Sequence, residues 1–190
     1  WHCMRERAQI NPHDVVMLVG AGGGVGIHGV QVAKLFGARV IAVDISTEKL
    51  DLARHWGADE IINFHSVNDL AAEAKRMTNG RGVDAAIDFV GKPETFQACI
   101  DGLASSGRAV VIGAQPGNVL VNPVNLLINE QVVTGSRHST RAELIETMDI
   151  MARGLVKPVV GKRLHFTQVE TIFEDLQAER LLGRGMLTYD

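Results

Sequence analysis

The residues best suited to chemistry are a run of glycines, Gly20, Gly22, Gly23, Gly24 and Gly26, and one acid further on, Asp44. Glycines in a turn leave the backbone bare, so its N–H groups can approach a ligand that any Cβ would hold away. Where such a turn opens a helix, unpaired N–H groups and the positive end of the helix dipole face the same point, which suits a phosphate. The best register is Ala21-x-Gly23-x-x-Gly26. Here Gly23 admits the phosphate, and Gly26 lets the helix pack on the strand before it. Asp44 follows Gly26 by 44 − 26 = 18 residues, near the roughly 20 that separate a dinucleotide turn from the carboxylate holding the adenosine ribose hydroxyls. A carboxylate there repels a 2′-phosphate and favours NAD over NADP.

Positioning these groups takes a strand, a helix and a second strand. Val15 to Val19 is an apolar run suited to a strand buried on both faces. A helical pattern follows from Val25 to Phe36, and a second apolar run, Val40 to Val43, ends at Asp44. Strand, glycine turn, helix, strand and acid together form a βαβ dinucleotide-site pattern.

The rest of the chain extends the alternation. Ser46 is read as the cap of a helix closed by Gly57, with Lys49 at its third position and Thr47 as the competing cap. A third strand over 58–63 follows, then a helix over 67–77 and a fourth strand over 85–90 ending at Gly91. Pro93 starts a helix running through Ile100 and Leu103. A fifth strand over 109–112 ends at Gly113-Ala114. A loop passing through Leu126 to Ile128 leads to a sixth strand over 132–135, and Ser139 caps a helix with Leu144, Met148 and Met151 as a sheet-facing stripe. The fold class is therefore α/β, a doubly wound six-stranded parallel sheet of Rossmann type with helices on both faces, plus a C-terminal helix–strand tail. Ligands of such sheets bind beyond the carboxyl ends of the strands, where Gly20, Asp44, Val90-Gly91, Gly113-Ala114 and Gly135-Ser136 fall.

At 190 residues and 46% apolar content the chain has material for one core. A net charge of −3 gives no electrostatic reason to expect nucleic acid. No apolar run approaches the roughly 18 residues of a membrane span. Cys3 and Cys99, the two cysteines, form no disulfide framework, and a reduced cytoplasmic setting is the default. His2 and Cys3 are adjacent and would diverge on the short helix expected over 1–10, so they make no metal pair. The chain opens at Trp1, within that helix, which is expected of a piece of a longer protein, with processing or an omitted start as the alternatives.

The sequence resembles the medium-chain dehydrogenase/reductase superfamily of alcohol dehydrogenase type. The resemblance rests on Gly22-Gly-Gly-Val-Gly26, Val40-Ile-Ala-Val-Asp44 with Lys49-Leu50, Gly57-Ala58-Asp59, Gly80-Arg81-Gly82-Val83-Asp84, Gly107-Arg108-Ala109-Val110 and Gly183-Arg184. It implies NAD as cofactor. Gly20, Gly22, Gly23, Gly24 and Val25 would meet its pyrophosphate, with Arg184 reaching it from the tail. Asp44, Ile45 and Lys49 would meet the adenosine ribose, and Val90 and Gly91 the path to the nicotinamide. Ile112, Gly113, Ala114, Gly135 and Ser136 would meet the nicotinamide itself. It implies a dinucleotide-binding domain over 1–160 and a tail over 161–190 that returns to a catalytic domain absent from this chain, together with any zinc site. The three consecutive glycines are closer to the quinone-reductase branch, which puts zinc dependence in question. The resemblance also implies a homodimer through the edge strand Val132 to Gly135, and a small-molecule substrate for the full-length protein.

Two further readings compete with a hydride-transferring oxidoreductase, in which this chain alone binds NAD and holds no catalytic residue. One is a free-standing NAD-responsive module that signals through Val132-Val133. The other is a methyltransferase of the same fold, against which Arg184 and the length of the resemblance argue. His28 falls in the first helix and His138 near the expected nicotinamide end, where an imidazole could relay protons. His55 and His65 read as helix-end and loop residues.

Overall fold

The computed structural model describes residues 1–190. After a helical turn at Cys3–Arg7, the chain runs β1 (Val15–Val19), α1 (Gly26–Leu35), β2 (Arg39–Asp44), α2 (Thr47–His55), β3 (Glu60–Asn63), α3 (Leu70–Met77) and β4 (Val83–Asp88). It continues with α4 (Pro93–Asp101), β5 (Leu103–Val111), α5 (Pro123–Asn129), β6 (Val132–Gly135) and α6 (Arg141–Ala152), then β7 (Val160–His165), α7 (Val169–Gln177) and β8 (Arg184–Thr188). Six strands form one parallel sheet in the order β3-β2-β1-β4-β5-β6, while β7 and β8 pair in a separate parallel sheet.

Strand alternation divides the core. Val16, Leu18, Val40 and Ala42 face Ile27, Val30 and Ala33 of α1 on one side. Met17, Val19, Ile41 and Val43 face Leu70 and Ala74 of α3 and Phe96 and Ile100 of α4 on the other. Successive residues of a strand point to opposite faces, so an uninterrupted apolar strand must be covered on both. The expected doubly wound sheet is the observed one.

Several local expectations are corrected. The tail holds a strand, a helix and a strand, because Val160–His165 pairs with Arg184–Thr188. Leu103 begins β5 rather than continuing α4. The fourth strand ends at Asp88, leaving Val90 and Gly91 in the turn beyond it. Leu126 to Ile128 lie in α5, which Asn122 caps and Pro123 opens. The cap of α6 is Thr140, not Ser139, because Glu143 at the third position completes a capping box with it.

Of the stripe on α6 only Met151 packs against the core. Leu144 and Met148 are 55% and 60% exposed, whereas Glu143 and Ile150 are buried. Glu143 accepts from the Thr140 N–H at 2.7 Å and pairs with His2 at 2.7 Å, joining the N-terminal turn to α6. The Thr140 N–H, opposed by desolvation and aided by His2, holds the Glu143 carboxyl at about 2, below its ordinary 4.5. A carboxyl depressed by folding stabilises the folded state above its unfolded pKa, and that contribution is lost as pH falls through the folded one. Thermal melts at successive pH values should therefore show a wild-type loss of stability between about pH 4.5 and 2 that is shallower in Glu143→Gln. Parallel curves would remove Glu143 from the acid response.

Candidate functional site

The carboxyl ends of β1 and β2 meet at a cavity of about 380 Å³ lined in part by Gly20, Gly23, Gly24, Val25, Asp44, Ile45, Lys49 and Val90. The structure thus brings eight of the residues expected to bind a dinucleotide to one surface. Each is there for a local reason.

Asp44 ends β2 and is buried. One carboxylate oxygen accepts from the Gly22 N–H and the other from the Ile45 N–H, each at 2.8 Å. A carboxylate oxygen has two acceptor directions, so each oxygen keeps one for a ligand hydroxyl. Lys49 is buried with its Nζ 3.8 Å from Asp44. Ser46 caps its helix by accepting from the Lys49 N–H at 3.3 Å, as expected.

The glycines do different work. A Cβ on Gly26 would lie 2.0 Å from the Gly20 carbonyl oxygen, and one on Gly22 would lie 2.5 Å from the Lys49 Cβ. Both positions are closed by protein packing. A Cβ on Gly23 would meet nothing closer than the Gly20 oxygen at 3.5 Å, an ordinary contact. Packing therefore does not demand glycine at Gly23, yet the residue lines the cavity. The N-cap of α1, Val25, supplies no side-chain hydrogen bond, and the first turn of that helix has no acidic residue. A bare turn leading into an uncapped helix end fits a diphosphate.

Arg184 lies across this turn. Its Nε is 3.3 Å from the position a Cβ on Gly24 would take. The tail comes this close because the Gly183 N–H donates to the Gly22 carbonyl at 3.2 Å.

Beside the turn, Asp88 organises the end of β4. It is wholly buried and accepts from the N–H groups of Val90 (2.8 Å) and Gly91 (3.0 Å) and from the Thr95 hydroxyl (2.7 Å). Its carbonyl accepts from Ile112 and Gly113. Gly91 has φ +76°, and a Cβ on it would stand 2.1 Å from the Gly113 oxygen, so glycine is required there.

Gly22, Gly91, Ile112, Gly113, Ala114, Gly135, Ser136 and Arg184 do not line the cavity. Of these, Gly22 and Arg184 adjoin its turn, as described. Ile112 to Ala114 follow the carboxyl end of β5, while Gly135 ends β6 and Ser136 follows it, with Gly135 paired to Val111 and the Ser136 N–H donating to the Val111 carbonyl. His138 is exposed and lies outside the cavity.

The cavity has walls that were not foreseen. Phe64 and His65 follow β3, Lys92 and Thr95 open α4, and Leu176 and Leu181 come from the tail. The rule placing ligands beyond strand ends would have found the first pair, while the tail residues carry no local signal. No group of three or more His, Cys, Asp or Glu side chains is arranged to hold a metal ion.

The chain matches a family model described as "Zinc-binding dehydrogenase" over residues 24–153. It is 31% identical over 183 residues to an NAD-dependent alcohol dehydrogenase of Sulfurisphaera tokodaii, covering 96% of this chain and 52% of that protein. An acryloyl-coenzyme A reductase of Metallosphaera sedula is 30% identical, with 96% and 53% covered. A crystal structure of an NAD-dependent alcohol dehydrogenase superposes with a TM-score of 0.90 at 31% identity, over 100% of this chain and 55% of that one. The chain therefore spans about half the length of the relatives it matches.

Proposed function

The chain belongs to the zinc-binding dehydrogenase family of the medium-chain dehydrogenase/reductase superfamily, and from that premise we propose that its cavity holds NAD, as the cofactor-binding part of an oxidoreductase. The single observation that carries this reading is Gly23. It is a glycine on the cavity wall that packing leaves free to carry a side chain, beside a carboxylate tied to the same turn.

Bound NAD would supply a hydride acceptor at C4 of the nicotinamide, and NADH the corresponding donor. This chain's residues bind and orient. Gly23, Gly24 and the α1 N-terminus meet the diphosphate, with Arg184 beside them. Asp44 accepts the ribose hydroxyls, with Lys49 near it. Val90 and Gly91 lead toward Ile112 to Ala114 and toward Gly135-Ser136, which meet the nicotinamide.

For the full-length protein the substrate pair is an alcohol and its carbonyl compound, or an activated alkene. The dehydrogenase and reductase names among the relatives support these classes. Any catalytic zinc would belong to the catalytic domain that the family resemblance implies. Residues 1–160 form the dinucleotide-binding domain and 161–190 a tail packing against a catalytic domain. The free edge of β6 supports a homodimer with a continued sheet. Two buried, unpaired cysteines accord with a cytoplasmic setting, and no helix is long and apolar enough to cross a membrane.

Asp44→Asn tests the reading. It keeps an acceptor oxygen and removes the charge that opposes a 2′-phosphate. Calorimetric titration should show preference for NAD over NADP falling by about tenfold or more, equivalent to about 1.4 kcal/mol. An unchanged ratio would take specificity away from Asp44.

A further inference from the structure

One imidazole is built into the site without touching the cavity. His28 lies one turn into α1 and is half-buried. Its Nδ1 is 2.9 Å from the Gly24 carbonyl oxygen, and its Nε2 accepts from the Val159 N–H at 3.2 Å. A carbonyl only accepts, so Nδ1 must carry the proton, and a backbone N–H only donates, so Nε2 must be bare. The two contacts select a single neutral tautomer. Burial pushes the imidazole pKa down, opposed by the Gly24 carbonyl and assisted by the Arg184 charge.

The contacts continue past Val159. Its carbonyl accepts from the Arg184 N–H at 2.9 Å, and the Arg184 side chain returns to Gly24. Gly24, His28, Val159 and Arg184 thus close a ring, in which the imidazole is the side-chain link from the glycine turn to Val159, beside the backbone bond from Gly183 to Gly22. One turn further along α1, Gln31 independently holds the segment that leads into the tail. It donates to the Lys157 carbonyl at 3.0 Å and accepts from the Lys157 N–H at 2.8 Å. Gln31 grips that segment without touching the turn.

We propose that His28 is a positioning residue for the diphosphate of the dinucleotide, locking the Gly24 carbonyl to Val159 so that Arg184 stands over the turn. The inference rests on the cofactor reading above. Its signature is selective, because adenosine uses Asp44 and not the turn, whereas ADP-ribose uses both.

The experiment titrates the chain with ADP-ribose and, separately, adenosine. His28→Leu should weaken ADP-ribose roughly five- to tenfold, the range for losing one or two hydrogen bonds that orient a charged group, and leave adenosine unchanged. His28→Gln, whose carbonyl can accept from Val159, should recover most of the loss. Gln31→Leu should lower the melting temperature without changing the ratio of the two affinities. Should the leucine variant fail to fold, His28→Asn keeps a donor for Gly24 but cannot reach Val159, and should show the same selective loss. Parallel weakening of both ligands, or no change in either, would overturn the role of His28. Failure of the wild-type chain to bind ADP-ribose would instead count against the cofactor reading.

Discussion

Asp88→Ala is expected to destabilise the fold by about 3–5 kcal/mol, because it strips acceptors from two backbone N–H groups and a hydroxyl at about 1–3 kcal/mol for each donor left without a partner. The Thr95 hydroxyl retains the Lys92 carbonyl at 2.9 Å, so the cost falls mainly on the N–H groups of Val90 and Gly91. Their turn is also pinned to Ile112 and Gly113 by the Asp88 carbonyl. Loosening it should disturb the surface that leads from the cavity toward β5. Asp88→Asn separates hydrogen bonding from charge. Its Oδ1 still accepts both N–H groups, and the Thr95 hydroxyl can turn to accept from its amide. Denaturant unfolding should place the asparagine variant much nearer wild type than the alanine variant. Equal loss in both would mean that the negative charge, rather than the acceptor geometry, holds the turn.

The second large effect separates two glycines three residues apart. Gly26→Ala sets a methyl group 2.0 Å from the Gly20 carbonyl oxygen and 2.8 Å from the Ala21 Cα. Backbone must move, and overpacking of this kind costs about 3 kcal/mol or more. The melting temperature should fall by roughly 6–12 °C for a chain of this size. Gly23→Ala adds the same methyl group where the nearest atom is 3.5 Å away. Its stability should stay within about 0.5 kcal/mol of wild type, as at a tolerant surface site. Its affinity for NAD should nevertheless fall about tenfold or more, since the methyl occupies the approach to the turn. Melting curves and NAD titrations on both variants check the pair. A Gly23→Ala protein that binds NAD normally would leave Gly23 a mere turn residue.

The contrast also marks how far the sequence could be read. The strand, turn, helix, strand and acid from Val15 to Asp44 were legible because each signal is local: an unbroken apolar run, a glycine spacing and a carboxylate at a fixed offset. Capping chemistry was equally local at Thr140, where Glu143 three residues on distinguishes it from Ser139, and at Asn122-Pro123, which opens α5. The face of α6 was a different matter. Leu144 and Met148 do form an apolar stripe, but a period says only that a stripe exists, and here the buried side belongs to Glu143 and Ile150. Tail residues Leu176, Leu181 and Gly183 reach the cavity through contacts between positions far apart in the chain, of which Gly183 with Gly22 is one. No spacing rule spans that distance. The tail was identified with the cofactor only through Arg184, and only by resemblance.

The central claim is that the turn at Gly23 to Gly26 and the acid at Asp44 make an NAD site. Its most direct test is calorimetric titration of the unmodified chain with NAD and with NADP. Saturable one-to-one binding of NAD, with NADP weaker by about tenfold or more, is the expected result. Equal or tighter binding of NADP would contradict the role of Asp44, and no heat with either would contradict the site.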